Sequence, residues 1–225
     1  MPMFRNLSTD PEKRPRLLGE IGALTHTELR TGETKYDSGN EIFGEAEPAN
    51  YLYQVVEGAV RTHKLLSDGR RQIGAFHLPG DIFGFENGHV HRFTAEAIVD
   101  TTVRFVNRES FERVAETDFA MFKSLLNMTT DSLQHAEDHM LLLGRKNALE
   151  RVAAFLLEMH RRQIPEGFVA LPMGRRDIAD YLGLTLETVS RILSELCRTG
   201  YLSMMGETRR TIVVLNPVGL AELER

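Results

Sequence analysis

The chain has a single cysteine, Cys197, among its 225 residues. An internal disulfide is therefore excluded, and this usage fits a reducing cytoplasm. Long apolar runs are also missing: none approaches the roughly 18 residues that a membrane span needs. The first segment, MPMFRNLSTDPEKRPR, has no apolar core of the kind an export signal carries, so a cytoplasmic protein without a membrane partner is expected. No Ser/His/Asp nucleophile arrangement and no phosphate loop occurs, so an enzyme is not expected. A basic surplus is lacking as well. The formal net charge is −5, which argues at first against nucleic acid. The deficit is uneven, however. Residues 145–225 carry 12 Lys and Arg against 10 Asp and Glu, and residues 1–144 carry 15 against 22. The C-terminal part is thus the place for an anionic partner, although a surplus of two charges is a weak footprint. A hydrophobic content of 42% and a charged content of 26% belong to an ordinary globular protein, and the length allows two domains, each with a core.

What is present is organised around RRDIADYLGLTLETVSRILSEL, residues 175–196. The pattern predicts two short helices joined by a tight turn. Ala179 is small where the helices must approach, and Gly183 supplies backbone freedom for the turn. Ile178, Leu182, Leu184, Val189 and Ile192 fall at helical spacing and close an apolar core under both helices. Thr185, Glu187, Thr188, Ser190 and Arg191 remain outward at the start of the second helix. An apolar back and a polar N-terminal front suit a helix to the major groove of DNA. An ordinary amphipathic helix hairpin would have less reason to combine the alanine, the glycine and five apolar positions.

Upstream, residues 1–20 hold Pro2, Pro11 and Pro15 among mixed charges and read as a flexible arm. From Thr31 to about Asn107 the texture is β. Short runs (51–56, 59–66, 72–78, 93–99 and 102–106) are separated by Gly, Asn and Asp turn signals, and Asp68-Gly69 between two alternating runs marks a hairpin. Such strands imply a small barrel or jelly-roll, here termed a β-roll, over residues 21–113. Then the period changes. Phe119, Phe122, Leu126, Thr129, Leu133, Ala136, Met140 and Leu143 step alternately by three and four, with no proline or glycine before Gly144. This is a heptad seam. A helix over 114–144 that carries it would be about 42 Å long, too long for one small β domain to cover. A parallel homodimer is the natural expectation. Gly144 is expected to end or bend it. Residues 145–225 follow as a C-terminal domain: a helix, a loop, the helix pair, and a β-hairpin with Arg209 and Arg210 at its tip. That hairpin makes a winged helix-turn-helix, and the two arginines read as phosphate contacts or as a solvated basic turn. The expected fold is α+β.

The order β-roll, long helix, winged helix-turn-helix resembles the CRP/FNR superfamily of bacterial transcription regulators, whose β-roll is of the cyclic-nucleotide-binding kind. Glu187-Thr188-Val189-Ser190-Arg191 matches the E-x-x-S-R pattern of the FNR branch. Residues 55–88, 139–159 and 171–193 are similar to FixK-like members. The resemblance implies that Arg191 reads the guanine of a TTGA-like half-site through O6 and N7. Glu187 would accept from the cytosine amino group opposite, and Ser190 would contact an outer thymine. Leu186, where the CRP branch has arginine, favours TTGA over TGTGA. Arg175, Thr185 and Thr188 match phosphate-contacting positions, and Thr185 also suits a helix cap. A TTGA-N6-TCAA-like palindrome follows from two-fold symmetry. The implied function is that of an activator of microaerobic respiration and nitrogen-fixation genes, with double-stranded DNA, RNA polymerase and a second copy of the chain as partners.

The resemblance implies no cofactor. An iron–sulfur cluster of the FNR kind needs more thiolates than Cys197 supplies. The cyclic-nucleotide cassette is altered: Gly84-Phe85-Glu86 stands for the ribose-binding pair, and Phe93 separates Arg92 from Thr94-Ala95. Three other groups offer different chemistry. His89, His91 and Glu96 have part of the spacing of a metal-binding cupin-type enzyme, but the glycines are misplaced and the second histidine half is missing, so the two histidines read as surface loop residues. His135 and His139 stand one helical turn apart and read as solvated flanks of the seam. Cys197, near the end of the recognition helix, is either a buried small hydrophobe or a thiol whose oxidation disturbs DNA binding. A regulator gated by a β-roll ligand is the remaining alternative.

Overall fold

The computed structural model describes residues 29–163, 169–205 and 211–223. The expected arm over 1–20 and the arginines Arg209 and Arg210 lie outside them. Eight strands build the N-terminal domain: β1 (Thr31–Tyr36), β2 (Glu41–Phe43), β3 (Tyr51–Glu57), β4 (Val60–Leu65), β5 (Arg71–His77), β6 (Ile82–Phe83), β7 (Thr94–Ala97) and β8 (Thr101–Asn107). They pair antiparallel in two sheets, β1-β8-β3-β6 and β2-β7-β4-β5. The jelly-roll expectation is met, and the strand runs fall within about two residues of their expected places. Gly58, between β3 and β4, has φ +91°, and a Cβ there would lie 2.6 Å from the Asp100 carbonyl oxygen. Only glycine fits this corner.

Alternation along the strands gives the roll three apolar surfaces. Phe43, Tyr53, Val55, Val60, Phe83, Ala95 and Val103 fill the space between the sheets. Leu52, Ile82 and Val106 face outward from the first sheet, against Phe111, Val114, Met121 and Met128 of two helices, α1 (Arg108–Thr117) and α2 (Phe119–Arg145). Ile73 and Phe76, on the outer face of the second sheet, join the core of the C-terminal domain. Each outer sheet face is therefore covered by helices, and the β-roll and C-terminal domain share one continuous core.

The long helix differs from expectation at both ends. It starts at Phe119, not at 114, because Asp118 stands in extended backbone and its side chain accepts from the amides of Ala120 and Met121 at 2.8 and 3.1 Å. Residues 114–117 belong to α1. Gly144 does not end the helix, which runs on to Arg145 with Lys146 as its cap. The seam lies open along α2. Phe119, Phe122, Leu126, Leu133 and Met140 are 50–78% exposed, and Thr129 and Ala136 are exposed beside them. Leu143 departs from the stripe. It is half-buried against the C-terminal core, because the helix pair docks at that end.

The C-terminal domain continues with α3 (Ala148–Arg162), β9 (Val169–Ala170), α4 (Arg175–Leu182), α5 (Leu186–Arg198), β10 (Leu202–Met205), β11 (Thr211–Val214) and α6 (Pro217–Leu223). Its strands form a sheet ordered β10-β11-β9. The winged helix-turn-helix is therefore present. Among the described residues no helix is long and apolar enough to cross a membrane.

Candidate nucleic-acid interface

The turn between α4 and α5 is closed by local chemistry. Gly183 adopts the left-handed conformation (φ 62°, ψ 38°), and its amide and that of Leu184 both reach the Ala179 carbonyl, the latter at 3.0 Å. This is a glycine-terminated helix end. Thr185 then caps α5, its hydroxyl accepting from the Thr188 amide at 3.2 Å. Behind α5, Val189, Ile192, Leu193 and Leu196 are buried. Glu187 and Arg191 are exposed, one turn apart on the same face, with Thr188 and Ser190 half-buried beside them. Ile178, Leu182, Val189 and Ile192 are buried and Leu184 half-buried, as their spacing requires.

The start of α5 presents donor and acceptor side chains on a rigid, capped helix end, where the peptide dipoles favour anions. Arg175 opens α4 next to the wing, with Nη2 3.7 Å from Met204 Sδ of β10. A cleft of about 890 Å³ runs between the β4–β5 hairpin and the start of α5, lined among others by Arg70, Arg176, Thr185, Glu187 and Thr188. Arg70 and Arg176 are exposed cations beside the recognition helix. Sequence reasoning missed both, since only the fold brings the Arg70 hairpin there. Cys197 is half-buried and packs against the C-terminal core, two helical turns beyond Ser190 on the flank of α5.

A second set of residues ties this interface to the rest of the molecule. Arg151 of α3 donates to the carbonyls of Leu143, Lys146 and Leu182 at 2.8, 2.8 and 2.9 Å. One guanidinium thus caps the C-terminal ends of both α2 and α4. Arg162 reaches from α3 to the β-roll, pairing with Asp81 and donating to the Phe76 carbonyl at 3.1 Å. The ring of His139 stacks on Tyr181 with centroids 4.2 Å apart, and its Nε2 donates to the Tyr181 carbonyl at 2.9 Å. His135 and His139 are therefore half-buried, not solvated flanks of the seam, because α4 packs over that side of α2.

Burial pushes His77 down to about 3, with the Arg162 and His135 charges adding to it, and pushes His135 down to about 4. An imidazole held neutral in the fold but protonated near 6.5 when unfolded stabilises fully above that pH. Its contribution is lost as the pH falls toward the folded value. Between pH 7 and pH 5 the loss on His77 alone is expected to be about 2 kcal/mol. Urea unfolding at fixed protein concentration measures it, and His77→Gln is expected to remove that part of the drop.

The surface-loop reading of the other histidines fails at His91. His91 is not a surface residue: it is 1% exposed, stacked on Phe43 with centroids 3.5 Å apart, and lies 3.6 Å from Glu86. The pairing of β2 with β7 brings Phe43 there. Glu96 is instead ion-paired with Arg61, and His89 is exposed. Among the described residues no three His, Cys, Asp or Glu side chains converge as metal ligands.

Two protein-family models match the chain: the cyclic nucleotide-binding domain over residues 33–118 and the Crp-like helix-turn-helix domain over residues 150–223. The cassette residues do not fit a cyclic nucleotide. The Glu86 carboxylate is occupied by the Arg92 amide at 3.1 Å and faces His91, and the Arg92 side chain is exposed. The nitrogen fixation regulation protein FixK of Rhizobium meliloti (strain 1021) is 42% identical over 84% of this chain and 85% of its own length. The transcriptional activatory protein AadR of Rhodopseudomonas palustris is 40% identical over 92% of this chain and 85% of its own. The structure of FixK2 from Bradyrhizobium japonicum superposes with a TM-score of 0.84 at 60% identity, covering 88% of this chain and 98% of that one. The match in both domains and along nearly the whole length makes this chain a member of the CRP/FNR family of DNA-binding transcription regulators, among the FixK-like proteins.

Proposed function

We propose that the protein is a homodimeric activator that reads a TTGA-N6-TCAA-like palindrome, contacts RNA polymerase and controls genes of microaerobic respiration and nitrogen fixation. The observation that carries this reading is the polar front of α5: Glu187, Ser190 and Arg191 on a helix end capped by Thr185 and braced by a buried apolar back. Arg191 reads guanine, Glu187 reads the opposing cytosine, and Ser190 contacts thymine. Arg175, Thr185 and Thr188 hold phosphates, joined by Arg209 and Arg210, and set the register. The open seam on α2 supports the dimer, since five large apolar side chains at 50–78% exposure along one stripe form a patch that a monomer has little reason to keep.

Titration of ligand-free, metal-free protein onto a fluorescent TTGA-N6-TCAA duplex, beside a scrambled duplex of equal length and at stated salt, tests the reading. The expected result is a preference for the palindrome of about 10³-fold or more. Equal affinity for both duplexes would overturn it.

A further inference from the structure

The β-roll grips the first helix of the helix-turn-helix through charge. Arg61 of β4 donates from Nη1 to both carboxylate oxygens of Asp177 at 3.1 and 3.2 Å. Arg71 of β5 spans two carboxylates, with Nη2 2.5 Å from Asp177 and Nε 2.9 Å from Asp180. Gln72 adds a bond from its side-chain amide to the Tyr181 carbonyl at 3.3 Å. Glu96 of β7 holds the other branch of Arg61. The partners are mostly out of water: the side chains of Asp177, Arg61, Arg71 and Asp180 are 11, 14, 20 and 25% exposed. Asp177 also accepts from the Gly174 amide at 3.2 Å and so closes the first turn of α4.

An apolar contact such as Phe76 on Phe155 and Tyr181 holds two surfaces together but permits sliding, because burial is non-directional. A planar guanidinium divided between two carboxylates fixes an angle. The clasp acts on α4, and α4 carries α5 through the Gly183 turn and their common core. The attitude of the recognition helix relative to its own β-roll, and hence to α2 and to a second subunit across the seam, is therefore constrained here, at α4 itself, in addition to the Arg162–Asp81 pair from α3.

We propose that Arg61 and Arg71 are positioning residues for DNA recognition, fixing the recognition helix so that the dimer accepts one half-site spacing. This rests on the dimeric DNA-binding reading above. Neither arginine lies on the polar front of α5. Their part is in geometry, which sets which separation of half-sites both helices can reach at once.

Anisotropy titrations of wild type, Arg71→Met, Arg61→Met and Arg71→Lys on TTGA half-sites separated by five, six and seven base pairs test the proposal. Methionine keeps the aliphatic stem and removes the fork. Each methionine variant is expected to narrow the preference for the six-base-pair spacer by roughly tenfold or more, while affinity for a single half-site stays within about twofold. Arg71→Lys is expected to recover part of the preference, since an ammonium keeps the charge but not the planar fork that fixes the angle. A variant that merely weakened folding would lower all affinities together. Unchanged spacing preference in both methionine variants would overturn the proposal. Hydrogen exchange decides it independently of DNA: the α4 amides from Ile178 to Leu182 are expected to exchange at least tenfold faster in Arg71→Met, and wild-type exchange there would also overturn it. If the wild type itself showed no preference for TTGA, the DNA reading would fail, and faster exchange would still establish the clasp.

Discussion

Arg191→Ala is expected to cut discrimination between the TTGA palindrome and random DNA by about 30-fold or more while leaving sequence-indifferent binding almost unchanged. The side chain is exposed on the second turn of α5, and the helix beneath it is fixed by buried Val189, Ile192 and Leu193. Removing its guanidinium takes away a fork that matches O6 and N7 of guanine. Such a pair discriminates by about 1–3 kcal/mol. A two-fold symmetric complex loses it twice, so the palindrome is expected to weaken by about 2–6 kcal/mol, from roughly 30-fold to beyond 10⁴-fold, down to a floor set by phosphate contacts. Fluorescence anisotropy on cognate and scrambled duplexes at two salt concentrations measures both quantities. Arg191→Lys is expected to behave nearly as badly, because an ammonium cannot make the bidentate match. The contrast is Arg175→Ala, which should lower affinity for both duplexes alike and flatten the salt dependence by about one unit for each phosphate it no longer neutralises. If Arg191→Ala weakened the two duplexes equally, Arg191 would be a phosphate contact and base reading would have to be sought elsewhere on α5.

The helix-turn-helix was legible because its determinants are local. Gly183, Thr185 and the buried positions of α4 and α5 lie within about 20 residues, and each obeys a rule of helix ends or helical spacing. The β-roll strands were legible for the same reason: glycine corners such as Gly58 and Asp68-Gly69 interrupt alternating runs. The break at Asp118 is hidden because no proline or glycine marks it, and the heptad pattern starts at once with Phe119. The surroundings of single side chains are hidden more deeply. His91 reads as a loop histidine until the β2–β7 pairing places Phe43 against it, and His139 reads as solvated until Tyr181 stacks on it. Arg61 and Asp177 stand 116 positions apart, and no local pattern can pair two such common residues. What the sequence conveyed about the site was the capped, polar front of α5. What it concealed was the joint that holds that part in place.

Breaking the seam is expected to produce the other large effect. Leu126 and Leu133 are 54 and 59% exposed in the single chain, so replacing both with glutamate removes little from the fold of one subunit. In the proposed dimer each would meet its counterpart across the seam. Four buried carboxylates without partners cost far more than the rest of the apolar stripe can offset. The double variant is expected to sediment as a monomer at micromolar concentration where the wild type sediments as a dimer. Its circular dichroism should remain that of a folded β-roll and winged helix, because Met121 and Met128, which anchor α2 to the β-roll, point the other way. DNA binding should suffer even though no group that faces DNA is altered. A dimer binds its second half-site at the high effective concentration set by the first, an advantage of about 10²–10⁴-fold that a monomer forfeits. The loss should therefore appear on the palindrome and vanish on a duplex with one half-site. A dimer that survived both glutamates would show that the subunits meet through another surface, and the exposed stripe on α2 would then require a different partner.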